Sequence, residues 1–280
     1  MRLSGFIAIT RPVNSVVSGL AAALGYLIAT GTIAPPVLVL IVIVMLVTAA
    51  GNVINDYFDT DIDTVNRPER PIPSGAILKG SARSYAITLF LSGILLSVFT
   101  NVICLTIVLI NSLLLIVYAW KLKGIPLIGN IAVSYLSASI FLFGGAFAAG
   151  GGGLVQNMPL ALITFLAMVA RELLKDAEDI EGDYAGGART LPMQIGIRTT
   201  NRLALVFAVL AICASLIPGL WWGSRYLVGI GIVDLIIFAA VFRAVSCMTS
   251  GCVKLSRATS LLKAGMFASL VIFTLAALFL

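Results

Sequence analysis

Asn52-Val-Ile-Asn-Asp56-Tyr-Phe-Asp59-Thr-Asp61-Ile-Asp63 and Glu172-Leu-Leu-Lys-Asp176-Ala-Glu-Asp179-Ile-Glu181-Gly-Asp183 hold ten of the twelve acidic residues of this chain. Counted from Asp56 and from Asp176, both stretches carry polar or acidic groups at −4, 0, +3, +5 and +7. On a helix, −4, 0, +3 and +7 share one face. Each stretch therefore aims a row of carboxylates in one direction. Asp61 and Glu181 point off that face and are expected to be solvated. Like charges on one face repel, and burial raises the cost of ionising them. Such rows call for cations, and two of them point to hard divalent metals.

The surroundings are apolar. The chain is 60% hydrophobic and only 11% charged, whereas a soluble domain carries about twice that charge. A helix needs about 20 apolar residues to cross a bilayer core. Nine spans are expected, giving an all-α polytopic membrane protein: 13–30, 35–55, 83–100, 102–120, 127–149, 158–176, 201–218, 226–245 and 258–280. The apolar runs are continuous rather than alternating, so a strand barrel is excluded. With the N-terminus inside, seventeen of the eighteen basic residues, Arg2 included, fall on the cytoplasmic side, and only Arg225 falls outside. That satisfies the positive-inside rule and places both acidic rows at the cytoplasmic face. The net charge of +6 thus reflects topology and anionic substrates, not nucleic acid.

The rows end the second and sixth spans. A single integral-membrane domain is expected over residues 1–280, with spans 1–4 and 5–8 reading as a parallel duplication. The long polar loops, 56–82 and 177–200, lie on one side, where recognition is expected to take place. The outer connections, 31–34, 150–157 and 219–225, are short. Trp221, Trp222 and Tyr226 are expected at the outer interface, and Tyr118 and Trp120 at the inner one. The four cysteines fit no zinc spacing and read as packing residues. The absence of histidine excludes a serine–histidine triad and a histidine base.

Basic residues follow each row: Arg67 and Arg70 in a proline-rich run after the first, Arg189 after the second, and Lys121 at the end of span 4. Carboxylates, cations and an apolar setting together suit a diphosphate bridged by Mg²⁺, which takes few protein carboxylates and completes its shell with phosphate and water. Arginine forks grip phosphate, and lysine meets it as a point charge. Asn52 and Glu172 lie a turn deeper in the membrane, where polar groups are costly and usually functional. Lys79, Arg83, Lys254 and Arg257 read as ordinary inside charges. Asp234 in span 8 is open to two readings, functional acid or helix contact, and Asn14 and Asn111 are either helix glue or cavity lining. An ion-coupled transporter is the rival of another class, but transporter sites lie near the midplane. A CDP-alcohol phosphotransferase would need a DGxxAR run, which is absent.

Asn55-Asp56-x-x-Asp59-x-x-x-Asp63 resembles the NDxxDxxxD motif of the UbiA superfamily of intramembrane prenyltransferases. Lys175-Asp176-x-x-Asp179-x-x-x-Asp183 resembles its second motif, Tyr118 and Lys121 its tyrosine–lysine pair, and Arg11-Pro12-x-Asn14 its first-helix signature. The resemblance implies about nine helices around a central cavity that opens to lipid. It implies Mg²⁺ held by Asn55, Asp59, Asp63, Asp176, Asp179 and Asp183, with Asp56 in the catalytic set. It further implies a prenyl diphosphate donor and a site lined by Arg11, Asn14, Asn52, Asn55, Arg67, Arg70, Tyr118, Lys121, Glu172, Lys175 and Arg189. The run from Arg67 to Gly75 and the Thr190-Leu-Pro192 run look most like the archaeal digeranylgeranylglyceryl phosphate synthase branch, which uses a lipid-like phosphate acceptor. The chlorophyll synthase branch, with a tetrapyrrole acceptor, comes next.

Overall fold

A computed structural model of the chain describes residues 3–280, apart from the side chains of Val65, Asn66 and Ala185. Met1 and Arg2 lie outside it, and with them one of the expected inside charges. The described residues form helices and no strand. In order these are α1 (Leu3–Ile9), α2 (Pro12–Thr30), α3 (Val37–Phe58), α4 (Thr60–Asn66), α5 (Lys79–Val98), α6 (Val102–Trp120), α7 (Ile128–Ala185), α8 (Leu191–Ile195), α9 (Ile197–Ser215), α10 (Gly219–Ala244), α11 (Ser250–Ser256) and α12 (Ala258–Phe279). Side chains such as Leu91, Leu95, Leu113, Val228 and Leu235 face outward at 60–70% exposure, which only a lipid surrounding makes favourable.

Nine separate spans are expected; among the described residues eight stretches are long and apolar enough to cross a membrane. The difference lies in α7, which contains both the fifth and sixth expected spans. Residues 150–157, expected as an outer turn, are helical, and the chain leaves helical geometry only at Ala149 and Gly150. A Cβ on Gly145 would stand 2.1 Å from the carbonyl oxygen of Gly153. Eight residues of straight helix rise about 12 Å, so the chain has folded back on itself at this bend. The expected outer connection at 219–225 is likewise helical, interrupted only at Gly223, where φ is +71°. Tyr226 is 1% exposed, stacks with Phe273 and donates a 2.7 Å hydrogen bond to the Ser215 carbonyl.

The chain divides into two compact units, one of residues 1–122 and 139–157 and the other of residues 123–138 and 158–280. In the first, α3 is the central element and packs against α2, α5 and α6. Its buried face runs through Leu40, Ile43, Val47, Ala50 and Val53. Small residues let backbones approach closely there: Cβ atoms added to Gly25 and Gly144 would lie 2.7 Å from the Phe141 carbonyl oxygen and 2.2 Å from that of Ala22. Asn157 donates to the carbonyls of Gly25 and Gly153, both at 3.0 Å, and ties the bend to α2. In the second unit α10 is central and packs against α9 and α12. Three non-glycine residues among those described have positive φ: Arg11, Leu127 and Arg257. They are the N-caps of α2, α7 and α12. Such geometry is uncommon outside glycine, and it recurs at the starts of the expected first, fifth and ninth spans.

Gly144→Val is expected to destabilise the protein by at least the ~1–3 kcal/mol of ordinary overpacking, because the clashing atom is backbone and cannot rotate away. The check is the midpoint of thermal unfolding in detergent. Gly80→Ala, which meets nothing within 4 Å, is expected to leave that midpoint within a degree or two or raise it slightly.

Candidate active site

The first row lies where α3 meets α4. Asp59 belongs to neither helix, yet i→i−4 hydrogen bonds run through the break, from the Asp59 amide to the Asn55 carbonyl (2.9 Å) and from the Asp63 amide to the Asp59 carbonyl (2.8 Å). The helical phase is kept, and the carboxylates stay on one side. Asp56, Asp59 and Asp63 are all less than 8% exposed. Burial at that level requires counter-charges. Arg11, at the left-handed N-cap of α2, donates to Asp56 at 2.6 Å. Arg70 reaches Asp56 at 3.3 Å and also pairs directly with Asp63, bridging the row from the other end. Asn55 donates to Asp59 at 2.8 Å, and Asn52 donates to the Thr10 carbonyl at 3.0 Å. Asn52 thus fixes the α1–α2 corner that presents Arg11.

The proline-rich run after the row is folded for this purpose. Its turn closes through hydrogen bonds from the Ser74 amide to the Arg70 carbonyl (2.9 Å) and from the Ile77 amide to the Pro71 carbonyl (3.0 Å). Gly75 supplies φ +74° where a side chain would be strained. Ile72 and Ile77 are buried and anchor the run, so Arg70 is carried back over the carboxylates. Arg67 stays exposed.

The second row lies at the C-terminal end of α7 and is held differently. Asn130 in the first turns of the same helix donates to Asp176 at 2.9 Å. Asp176 interacts electrostatically with Glu172, Asp183 and Lys175, and Asp183 interacts with Asp179, Lys175 and Lys123. Glu172 is 8% exposed and is paired with Arg171, with Lys175 at 3.8 Å. It is a neutralised carboxylate, not a free one. Among the described residues no arginine pairs with Asp176, Asp179 or Asp183. The Arg189 amide donates to the Gly124 carbonyl at 3.3 Å, while the Arg189 side chain is exposed.

Each expected row is thus assembled within its own unit. Asp61 is solvated as expected, its side chain 91% exposed with Lys79 at 3.7 Å. Glu181 is exposed too, and it accepts a 2.7 Å hydrogen bond from Ser250. Tyr118 is half-buried one turn before Lys121, the exposed C-cap of α6, and Asn14 is exposed. Of the open readings, Asp234 accepts from Ser215 at 2.6 Å between α10 and α9, and Asn111 donates to Ser139 at 2.8 Å, contacts that support helix packing for each. The reading of all four cysteines as packing residues is corrected, because Cys247 and Cys252 form a disulfide. Asn130, Lys123, Ser250 and Thr259 escaped the sequence reading. Only Asn130 left a signal, as a polar residue near the start of span 5, where Arg11 stands before span 1. Arg11 precedes Asp56 by 45 residues, and Asn130 precedes Asp176 by 46.

A family model described as the UbiA prenyltransferase family matches residues 16–261. The chain is 59% identical over 278 residues to the digeranylgeranylglyceryl phosphate synthase of Methanoculleus marisnigri, with 99% of each chain covered. It is similar, with a TM-score of 0.85 and 34% identity over 99% of each chain, to a solved structure described as giving insights into digeranylgeranylglyceryl phosphate synthase in membranes. A UbiA homologue from Archaeoglobus fulgidus, described as bound to GPP and Mg²⁺, shares the fold with a TM-score of 0.65 at 16% identity, over 95% of this chain and 99% of that one. With the aspartate rows at helix ends and a match over most of its length, this multi-pass membrane protein belongs to the UbiA prenyltransferase family.

Proposed function

We propose that the chain is a Mg²⁺-dependent enzyme that moves a geranylgeranyl group from its diphosphate to geranylgeranylglyceryl phosphate, with the N-terminus and both aspartate rows on the cytoplasmic side. The reading is carried by full-length identity of 59% to a protein of that name. The geometry supports it through an all-oxygen donor set flanked by cations. Mg²⁺ takes one or two carboxylates and leaves the rest of its shell to phosphate and water. Asn55 engages its amide nitrogen on Asp59, which leaves its oxygen for a metal. Asp59 and Asp63 in one row, and Asp176, Asp179 and Asp183 in the other, are the carboxylates from which a bound ion would draw its one or two. When bound, Mg²⁺ would neutralise the diphosphate and make it a better leaving group.

The chain's own residues supply the remainder. Arg11 and Arg70 are held in place by Asp56 and Asp63, so a departing diphosphate meets charges that need little reorganisation. The apolar helices keep water from the reacting carbon as the C1–oxygen bond of the donor breaks and an allylic cation forms. The glycerol sn-2 oxygen bonds to that carbon, and its proton goes to the released diphosphate or to one of the aspartates. No histidine base is needed.

Each row is proposed to be required for the reaction. Asp59→Ala and Asp179→Ala are each expected to lower kcat/KM at least about 100-fold, and Asp61→Ala is expected to stay within about twofold of wild type. Prenyl transfer from labelled geranylgeranyl diphosphate, with and without EDTA, measures all three. Full activity in EDTA, or equal loss at all three positions, would contradict the assignment.

The acceptor's phosphate needs its own cation. Arg11 and Arg70 are already engaged by carboxylates. Arg67, Lys121 and Arg189 are exposed. At least one of these three is expected to serve the acceptor: its Gln variant raises the acceptor KM roughly 10-fold, about 1.4 kcal/mol, and leaves the donor KM within twofold. Two-substrate kinetics on the three single variants tests this. If the purified enzyme prenylates an aromatic or tetrapyrrole acceptor but not geranylgeranylglyceryl phosphate, the proposed acceptor is wrong.

A further inference from the structure

The second aspartate row has a back as well as a front. At about 100° per residue, Asp176, Asp179 and Asp183 cluster on one side of α7, and Ala177, Glu178 and Glu181 cluster roughly opposite. All three of these back-face residues are gripped by one short segment. Cys247, 2% exposed, packs with Val253 against the fully buried Ala177. Ser250, in the first turn of α11, donates to Glu181 at 2.7 Å. Thr259, in the first turn of α12, donates to Glu178. The segment is itself closed by the Cys247–Cys252 disulfide and by Thr249, whose hydroxyl accepts from the Cys252 amide at 3.3 Å. The first row is backed differently: Tyr57 and Phe58, at the corresponding positions, pack against the apolar core of its unit. Its off-face residue Asp61 is solvated, and its position is set from the front by Arg11 and Arg70.

We propose that residues 247–259 are a disulfide-closed brace that sets the position of the second aspartate row, with Glu178 and Glu181 as positioning residues rather than metal ligands. The brace fixes the rotation and inclination of the α7 end. Rotating a helix by one-tenth of a turn moves a carboxylate about 5 Å from the axis by about 3 Å, enough to spoil a coordination site. The closure is reversible by thiol chemistry. Cys252 is exposed, so the thiolate of a dithiol can attack its sulphur. The mixed disulfide then resolves to two cysteine thiols and the oxidised dithiol, with two electrons and two protons passing to the protein. A brace on the side where disulfides are ordinarily reduced makes the metal affinity of this row responsive to the thiol state. The proposal rests on the Mg²⁺ reading above for its functional consequence but not for its structural one.

The test therefore has a metal-free arm and a metal arm. In the first, hydrogen exchange of peptides covering 174–187 is followed by mass spectrometry in the metal-free full-length protein, with and without dithiothreitol. Reduction is expected to speed exchange there in wild type and to change nothing further in the Cys247→Ser/Cys252→Ser variant, which exchanges fast from the outset. In the second arm, Mn²⁺ binding is titrated by electron paramagnetic resonance and Mg²⁺ half-saturation by activity. Glu178→Ala and Glu181→Ala are expected to raise both about 10-fold, while Glu178→Gln and Glu181→Gln stay near wild type, because the amide oxygen still accepts from Thr259 and Ser250. Gln variants as damaging as the Ala variants would make these residues ligands and overturn the positioning role. Ala variants that lower the unfolding temperature without moving half-saturation would overturn it too, as would exchange that is blind to reductant. Metal-independent activity together with the predicted exchange pattern would overturn the Mg²⁺ reading and leave the brace standing.

Discussion

Three carboxylates buried at the end of an apolar helix cannot stand unpaired. Removing one partner from such a buried set costs about 3–5 kcal/mol, because the remaining charge has neither water nor a counter-ion. Much of the first unit follows from that requirement. The α1–α2 corner exists at the geometry that lets Arg11 reach Asp56. The turn from Arg67 to Ile77 doubles back so that Arg70 can span Asp56 and Asp63. Its anchors Ile72 and Ile77 are buried in the apolar core of this unit, and they decide where the guanidinium lies. The paired arrangement is also what a phosphate-handling site needs, since cations held by acids are already aimed when an anion arrives.

The two rows have one spacing and two solutions. In each unit the first aspartate of the row is met by a side chain from the helix start 45 or 46 residues earlier, a charged Arg11 in one case and a neutral Asn130 in the other. Both helix starts carry a left-handed non-glycine cap, Arg11 and Leu127. This supports the proposal that spans 1–4 and 5–8 descend from a common unit. The divergence has a physical consequence. A row neutralised by arginines is rigid but less available, whereas a row met by an amide and flanked by lysines keeps more of its negative charge for a cation.

Hydropathy and period made most of this legible. Continuous apolar runs located the spans to within a few residues, because the demand for satisfied backbone in lipid leaves helices as the solution for such runs. The offsets of −4, 0, +3 and +7 survived even the break at Asp59, since the backbone hydrogen bonds carry the helical phase across it. Tertiary contacts refine two readings. The run from Gly150 to Gly153 reads as an outer turn, and the chain does reverse at Ala149 and Gly150, but the helix resumes at once and Gly153 packs closely against Gly145. Tyr226 reads as an interface aromatic, and contacts with Phe273 and Ser215 bury its ring within the protein. Asn130, Ser250 and Thr259 leave no periodic trace, because their roles are single hydrogen bonds to residues 46, 69 and 81 positions away.

The charges also divide by availability. Arg11 and Arg70 are half-buried and paired, so they can contribute to an anion only through a network that already contains two acids. Arg67, Lys121 and Arg189 are exposed. A reaction that brings together a diphosphate and a second phosphate-bearing lipid presents two anions that repel each other. Paired arginines beside a metal suit the group that leaves, because its growing charge must be met without reorganisation. Exposed, flexible cations suit the group that stays anionic throughout, because binding it needs affinity and exchange rather than differential stabilisation of a transition state. Under the proposed function, the partition of basic residues into held and exposed sets is an arrangement that suits a two-anion transfer.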